Sequence, residues 1–177
     1  LRGITYENTS ENPTAGDRTL TFVTNDGDTD SNTATATVTV TPANDPPVID
    51  LDVSDTGTYD FASTFTEGGT AVNVANTDAA VTDLDDTSMV SLTLVAGSMT
   101  DGASEILTIG GTTFPEGTDK TATVTVGSTS FAITYTATGD TFAIAESGGG
   151  EMPIADIDTL LRGITYENTS ENPTAGD

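Results

Sequence analysis

The first seventeen residues of this chain, LRGITYENTSENPTAGD, recur letter for letter as its last seventeen. The match includes loop residues such as Asn12 and Pro13, which packing alone would leave free to vary, so chance and convergence are both excluded. Because the copies begin at Leu1 and Leu161, they are offset by 160 residues. We therefore expect one period of a longer tandem array plus a short overlap, with the chain ends as cuts in that array.

Alternating apolar and polar residues predict strands along most of the chain. In TATATVTVTP, the alternate residues from Ala34 to Val40 are apolar and fall on one face, while Thr residues fall on the other. Turn pairs such as Gly110-Gly111 and Gly127-Ser128 separate similar runs. Many short strands with turns between them predict an antiparallel β-sandwich. The stretch PIADIDTLLRG instead predicts a short helical connector before the strand GITYE.

Composition limits the function classes. The chain carries 28 Asp and Glu against four Lys and Arg, a net charge of −24, and it has no Cys, His or Trp. This charge repels nucleic acid and anionic membranes and attracts cations. No apolar run approaches the roughly 18 residues of a membrane span. Without Cys, an extracellular fold needs a clamp other than disulfides, and metal ions are the candidate.

A domain boundary is predicted inside VTVTPANDPPVIDLD, where a finished strand meets Asn44-Asp45 and then Pro46-Pro47. Consecutive prolines cannot donate backbone hydrogen bonds and favour an extended linker. Residues 1–44 are then the C-terminal part of a preceding repeat, and residues 45–177 are most of the next. We expect these parts to belong to different sandwiches, or the missing strands to come from a neighbouring chain.

Several motifs together resemble a known family. TPANDPPV resembles the Asn-Asp linker of cadherin repeats, FTEGGTAV their first-strand Glu motif, and TDLDD their Asp-x-Asp loop. The run LRGITYENTSENPTAGDRTLTFVTNDGDTDSNTATATVTVTPANDPPV is similar to the long cadherin-like repeats of giant bacterial adhesins exported by type I secretion. The resemblance implies a Greek-key, cadherin- or immunoglobulin-like sandwich, with extra strands between about Ala96 and Pro153. It also implies an extracellular spacer at the bacterial cell surface, for attachment or biofilm formation.

Acidic loops predict calcium binding, since calcium takes six to eight oxygen ligands from carboxylates, amides and carbonyls. Asp83 and Asp85 sit two apart in a turn and can converge on one ion, and Asn44 and Asp45 lie in the linker. The resemblance places these four in one junction between repeats.

The resemblance implies further calcium ligands. Glu67 would serve the opposite end of its own domain, and Asp26 the N-terminal junction of the preceding one. An acidic run in IDLDVSD looks like that of the bacterial repeats and adds Asp50, Asp52 and Asp55. The Leu-Asp-Arg-Glu motif of the family is missing, and Glu7 or Asp17 is the candidate substitute.

Simpler interpretations compete with calcium binding. Asp often caps turns through its own backbone, which is the favoured interpretation of DTDSN taken alone. Halophilic adaptation would spread charge along strands, whereas here it gathers at turns. ESGGGEM lacks the Lys and helix of a phosphate loop, and Asn8-Thr9-Ser10 is only a weak glycosylation signal.

Three functions stay open. Without His or Cys we expect no enzyme, since only carboxylate pairs remain and the aromatic residues are few. The preferred function is the calcium-stabilised spacer, whose partners are neighbouring repeats. One alternative is a subunit that assembles with identical chains into a filament, sheath or surface layer, and another is a calcium-dependent carbohydrate-binding module with glycan partners. Self-assembly needs an interface of about 1,000 Å², and the alternating strands reveal no exposed apolar stripe.

Overall fold

The computed structural model describes residues 3–175 and divides the chain into two compact units. Unit 1 is Leu1–Pro46 and unit 2 is Pro47–Asp177, so the division falls inside the Pro46-Pro47 pair. Antiparallel strands make up most of the regular structure, which confirms the predicted all-β class. The elements in chain order are β1 Gly16–Phe22, β2 Ala34–Val40, β3 Val48–Asp50, β4 Val72–Asn73, β5 Ala80–Thr82, β6 Ser88–Met89, β7 Leu92–Val95, β8 Glu105–Ile109, β9 Thr112–Pro115, β10 Lys120–Val126, β11 Thr129–Thr136, β12 Thr141–Glu146, β13 Met152–Pro153, α1 Ile154–Arg162 and β14 Thr165–Asn168.

Unit 1 is built on one antiparallel hairpin, in which β1 pairs with β2 in a register from Gly16 opposite Val40 to Phe22 opposite Ala34. Leu20 and Phe22 share a face with Val38, as the alternation of the sequence predicts. None of the described residues of this unit is buried. The hairpin therefore keeps part of its apolar face open to solvent.

Unit 2 contains two four-stranded sheets. One has the order β10-β11-β12-β7, and the other has the order β4-β14-β8-β9. Two shorter pairs, β3 with β5 and β13 with β6, complete the strand pairing of the described residues. All of these pairings are antiparallel.

One hydrophobic core lies within unit 2. It joins inward-facing residues of both four-stranded sheets to the helix α1. Phe142 stacks on Tyr135 with ring centroids 4.5 Å apart and meets the edge of Phe114 at 5.5 Å. The region between about Ala96 and Pro153, where extra strands were expected, contains β8 to β12 and much of this core.

The helical connector is confirmed as α1. Pro153 precedes its first residue, and the helix ends at Arg162, before Gly163. Its buried residues Ile157, Leu160 and Leu161 are spaced by three and four, so they form one face against the core. Arg162 pairs with Asp158 at 3.6 Å across one turn of the helix. The side chain of Arg162 also donates to the carbonyl of Ala79 at 2.8 Å.

Candidate metal loops and an open groove

In unit 1, the predicted ligand Asp26 caps a tight turn. Its Oδ1 atom accepts the backbone N–H groups of Asp28 at 3.0 Å and Thr29 at 2.9 Å. These bonds, led by that of Asp28, hold the pKa of the Asp26 carboxyl below its usual value. In the linker, the side-chain amide of Asn44 donates to the carbonyl of Asp45 at 2.9 Å.

The acidic run at the start of unit 2 forms a local hydrogen-bonded loop. Asp50 accepts the backbone N–H of Asp52 at 2.9 Å. Asp52 in turn accepts the hydroxyl of Ser54 at 2.5 Å and the amide of Asn76 at 2.7 Å. The Ser54 hydroxyl, followed by Asn76, lowers the pKa of Asp52. Asp55 accepts the backbone N–H two residues after it at 2.9 Å.

The third acidic loop follows β5. Oδ1 of Asp83 accepts the backbone N–H groups of Asp85 and Asp86, both at 2.8 Å, so these three residues share one turn. Glu67 lies in a separate turn after Phe65. Within residues 3–175, no group of three or more Asp, Glu, His or Cys side chains is arranged to hold a metal ion. The calcium sites stay a prediction for every one of these ligands.

The sequence analysis did not identify Asp156, whose carboxylate links α1 to the turn between β10 and β11. Oδ2 of Asp156 accepts the hydroxyl of Thr129 at 2.7 Å, and the hydroxyl and backbone N–H of Ser128 at 3.0 and 3.1 Å. The Thr129 bond is the largest cause of a lowered Asp156 pKa. Gly127 completes the turn with a φ of +61°, and a Cβ there would lie 1.9 Å from the Asp156 carboxylate.

Unit 2 contains an open groove of about 630 Å³. Strands β4, β8 and β14 line it, together with segments 63–67, 96–99 and 173–175. Its apolar lining includes Phe65, Val72, Leu107 and Tyr166. Phe65 and Tyr166 meet edge to face, with ring centroids 5.7 Å apart. The groove therefore combines apolar side chains with polar ones, and Leu107 among them is already buried.

A buried carboxylate lies at the groove. Glu105 is only 6% exposed, and its Oε2 atom accepts the backbone N–H groups of Thr100 at 2.5 Å and Asp101 at 2.8 Å. Its Oε1 atom accepts the hydroxyl of Tyr166 at 2.7 Å. Burial, followed by this bond, raises the pKa of Tyr166 to about 12. The sequence contained a signal for the burial of Glu105, because Glu105 lies on the same face of β8 as the inward-facing Leu107.

A second carboxylate holds the end of the described chain along the groove. Asp101 accepts the hydroxyl of Thr174 at 2.6 Å and its backbone N–H at 2.8 Å. It also accepts the side-chain amide of Asn168 at 2.7 Å. These bonds, led by the Thr174 hydroxyl, lower the pKa of Asp101.

Comparisons with known proteins found no match to a family model, to a curated protein or to a solved structure. No helix among the described residues is long and apolar enough to cross a membrane.

Proposed function

We propose that this chain is a calcium-stabilised extracellular structural repeat that acts as a spacer in a giant bacterial cell-surface adhesin. The observation that carries the proposal is the 17-residue segment repeated after 160 residues, because an identical segment that recurs a full period away suits a scaffold that repeats. The fold is compatible with this role, since sheets and a packed core make up unit 2.

Calcium is the proposed stabilising ligand, and electrostatics support it. A chain with a net charge of −24 repels itself when folded, and bound divalent cations relieve that repulsion. The turn of Asp83, Asp85 and Asp86 gathers three carboxylates within four consecutive positions. We expect Asp83 and Asp85 to supply carboxylate ligands to a calcium ion bound by unit 2.

Calorimetric titration and thermal melting of the full chain test the calcium proposal. Calcium at a hundred times its dissociation constant should stabilise the fold by about 2.7 kcal/mol per site, because it binds only the folded state. Magnesium at equal ionic strength separates specific binding from screening. Asp83→Asn/Asp85→Asn should remove most of the calcium-dependent rise in melting temperature.

A matched variant controls for lost charge. Glu11→Gln/Glu171→Gln also removes two carboxylates, both exposed and neither a predicted ligand. It should keep the calcium response of the wild type. Equal melting curves in calcium, magnesium and chelator would contradict the proposal, and the acidic loops would then be solvated turns.

A further inference from the structure

Two glutamates lie opposite each other where β8 begins and β9 ends. Ile106 pairs with Pro115 in the antiparallel register of these strands, so Glu105 and Glu116 follow as the next opposed residues. The backbone N–H of Glu116 donates to the carbonyl of Glu105 at 2.9 Å. Opposed residues of an antiparallel pair project on the same face, and like charges there destabilise the pairing. The two carboxyl groups are therefore neighbours.

The two carboxyl groups differ in their hydrogen bonding. Glu105 is buried and accepts the backbone N–H groups of Thr100 and Asp101 as well as the hydroxyl of Tyr166. The Oε2 atom of Glu116 is also buried, yet it has no hydrogen-bond partner among the residues that the structure describes. Buried polar atoms of native proteins are nearly always hydrogen-bonded, so this oxygen requires an explanation.

Glu116 also faces the turn between β11 and β12. Asp140 in this turn accepts the hydroxyl of Tyr135 at 2.7 Å, and the oxygen of that hydroxyl accepts the backbone N–H of Gly117 at 3.2 Å. The negative charge of Asp140 therefore acts on Glu116, as that of Glu105 does. Within the described part of the chain, the titratable groups that face Glu116 are Glu105, Asp140 and the Tyr135 phenol.

Cations do not offset this negative charge. The one ion pair among residues 3–175 lies on α1, and the ammonium group of Lys120, the only lysine of the chain, donates to a backbone carbonyl. Burial, followed by repulsion from Glu105, raises the pKa of Glu116, and the backbone N–H of Gly102 offsets part of that rise. The folded state therefore favours a proton on Glu116.

We propose that Glu105 and Glu116 form a proton-operated latch, which holds the loop at Thr100 and Asp101 when Glu116 carries a proton and loosens that loop when the proton leaves. Protonated Glu116 donates from its carboxyl group to the carboxylate of Glu105 and so gains the missing partner. Ionised Glu116 repels Glu105, whose carboxylate holds the two backbone N–H groups of the loop. The latch goes beyond the proposed spacer and does not depend on calcium.

An NMR titration of the side-chain carboxyl groups of the full chain tests the latch directly. Glu116 should titrate at higher pH than the exposed Glu171, and the Glu105 signal should change over the same pH range, because interacting carboxyl groups titrate as a pair. A Glu116 that titrates together with Glu171, or a Glu105 signal that does not respond, would overturn the proposal. Chelator in the sample keeps this result separate from that of the calcium proposal.

Glu116→Gln tests the effect on the loop, because the amide is neutral at every pH and can still donate a hydrogen bond. Protection of the Thr100 and Asp101 backbone amides against hydrogen exchange reports how often the loop opens. A group with a raised pKa stabilises the fold below its unfolded pKa, and this stability is lost as pH rises through the folded value. Relative to Glu116→Gln, the wild type should therefore lose protection by about tenfold between about pH 4 and pH 8.

Glu171→Gln is the matched control, since it removes one carboxylate from an exposed position of the same unit. It should follow the wild type at every pH. Equal protection of the wild type and Glu116→Gln across this range would overturn the latch, because a glutamate with a purely structural role gives no pH-dependent difference. Lower protection of Glu116→Gln than of the wild type at neutral pH would overturn it as well.

Discussion

At the scale of single residues, the repeat supplies internal controls, because identical residues occupy different environments. Ile164 is 2% exposed in the core of unit 2, whereas Ile4 is 56% exposed. Ile164→Ala should lower the free energy of unfolding by about 2–5 kcal/mol through lost burial and a cavity. Ile4→Ala should change it by less than about 0.5 kcal/mol. Chemical denaturation of both variants measures the difference, and equal losses would show that the two copies are equally buried.

Tyr166 and Tyr6 form a second matched pair. Tyr166 donates to the buried Glu105, so Tyr166→Phe should cost about 1–3 kcal/mol at neutral pH. Burial raises the pKa of Tyr166 above that of an unfolded tyrosine. The stability that Tyr166 contributes to the fold is therefore complete below about pH 10 and is lost as pH rises towards 12.

Alkaline denaturation curves check the Tyr166 prediction. The stability gap between the wild type and Tyr166→Phe should narrow between pH 10 and 12, whereas Tyr6→Phe should match the wild type throughout. A gap independent of pH would mean that the Tyr166 phenol has the same pKa in the folded and the unfolded protein, which would contradict the raised pKa.

At the scale of elements, the contact between α1 and the β10–β11 turn can be tested with glycines. Gly127 and Gly111 both have positive φ, so alanine is strained at either position. Only at Gly127 would the added Cβ meet the Asp156 carboxylate, whereas nothing lies within 4 Å at Gly111. Gly127→Ala should therefore cost more stability than Gly111→Ala, by at least about 1 kcal/mol.

The contribution of Asp156 identifies the cause of that loss. Because the Asp156 pKa is lowered, its stabilisation is present above the pKa of an unfolded aspartate and is lost as pH falls through the folded value. Melting at pH 7 and in acid should show the gap between the two glycine variants shrinking in acid. A gap that does not change would point to backbone strain alone.

At the scale of the whole molecule, the chain divides into two units that differ in burial. None of the described residues of unit 1 is buried, whereas unit 2 holds a hydrophobic core that joins two four-stranded sheets to α1.

Much of the fold was predictable because local patterns specify local structure. Alternation placed strands such as β2 and β11, glycine pairs marked their turns, and Pro153 with Gly163 bounded α1. The predicted ligands were chosen as acidic residues in loops, and the structure places Asp50, Asp52, Asp55 and Asp83 in hydrogen-bonded turns. Periodicity does not report how far apart two loops lie, so convergence on an ion could not be judged from it.

The sequence by itself determined the strand character, the turns, the helix and the repeat of 160 residues, since each depends on residues close in the chain or on identity alone. Only the tertiary structure decided which secondary structure each copy of the repeated segment adopts. The same letters are an exposed coil at residues 5–8 and a paired strand at residues 165–168. The physical reason is that a strand is stabilised by partners distant in sequence, and β4 and β8 pair with the second copy.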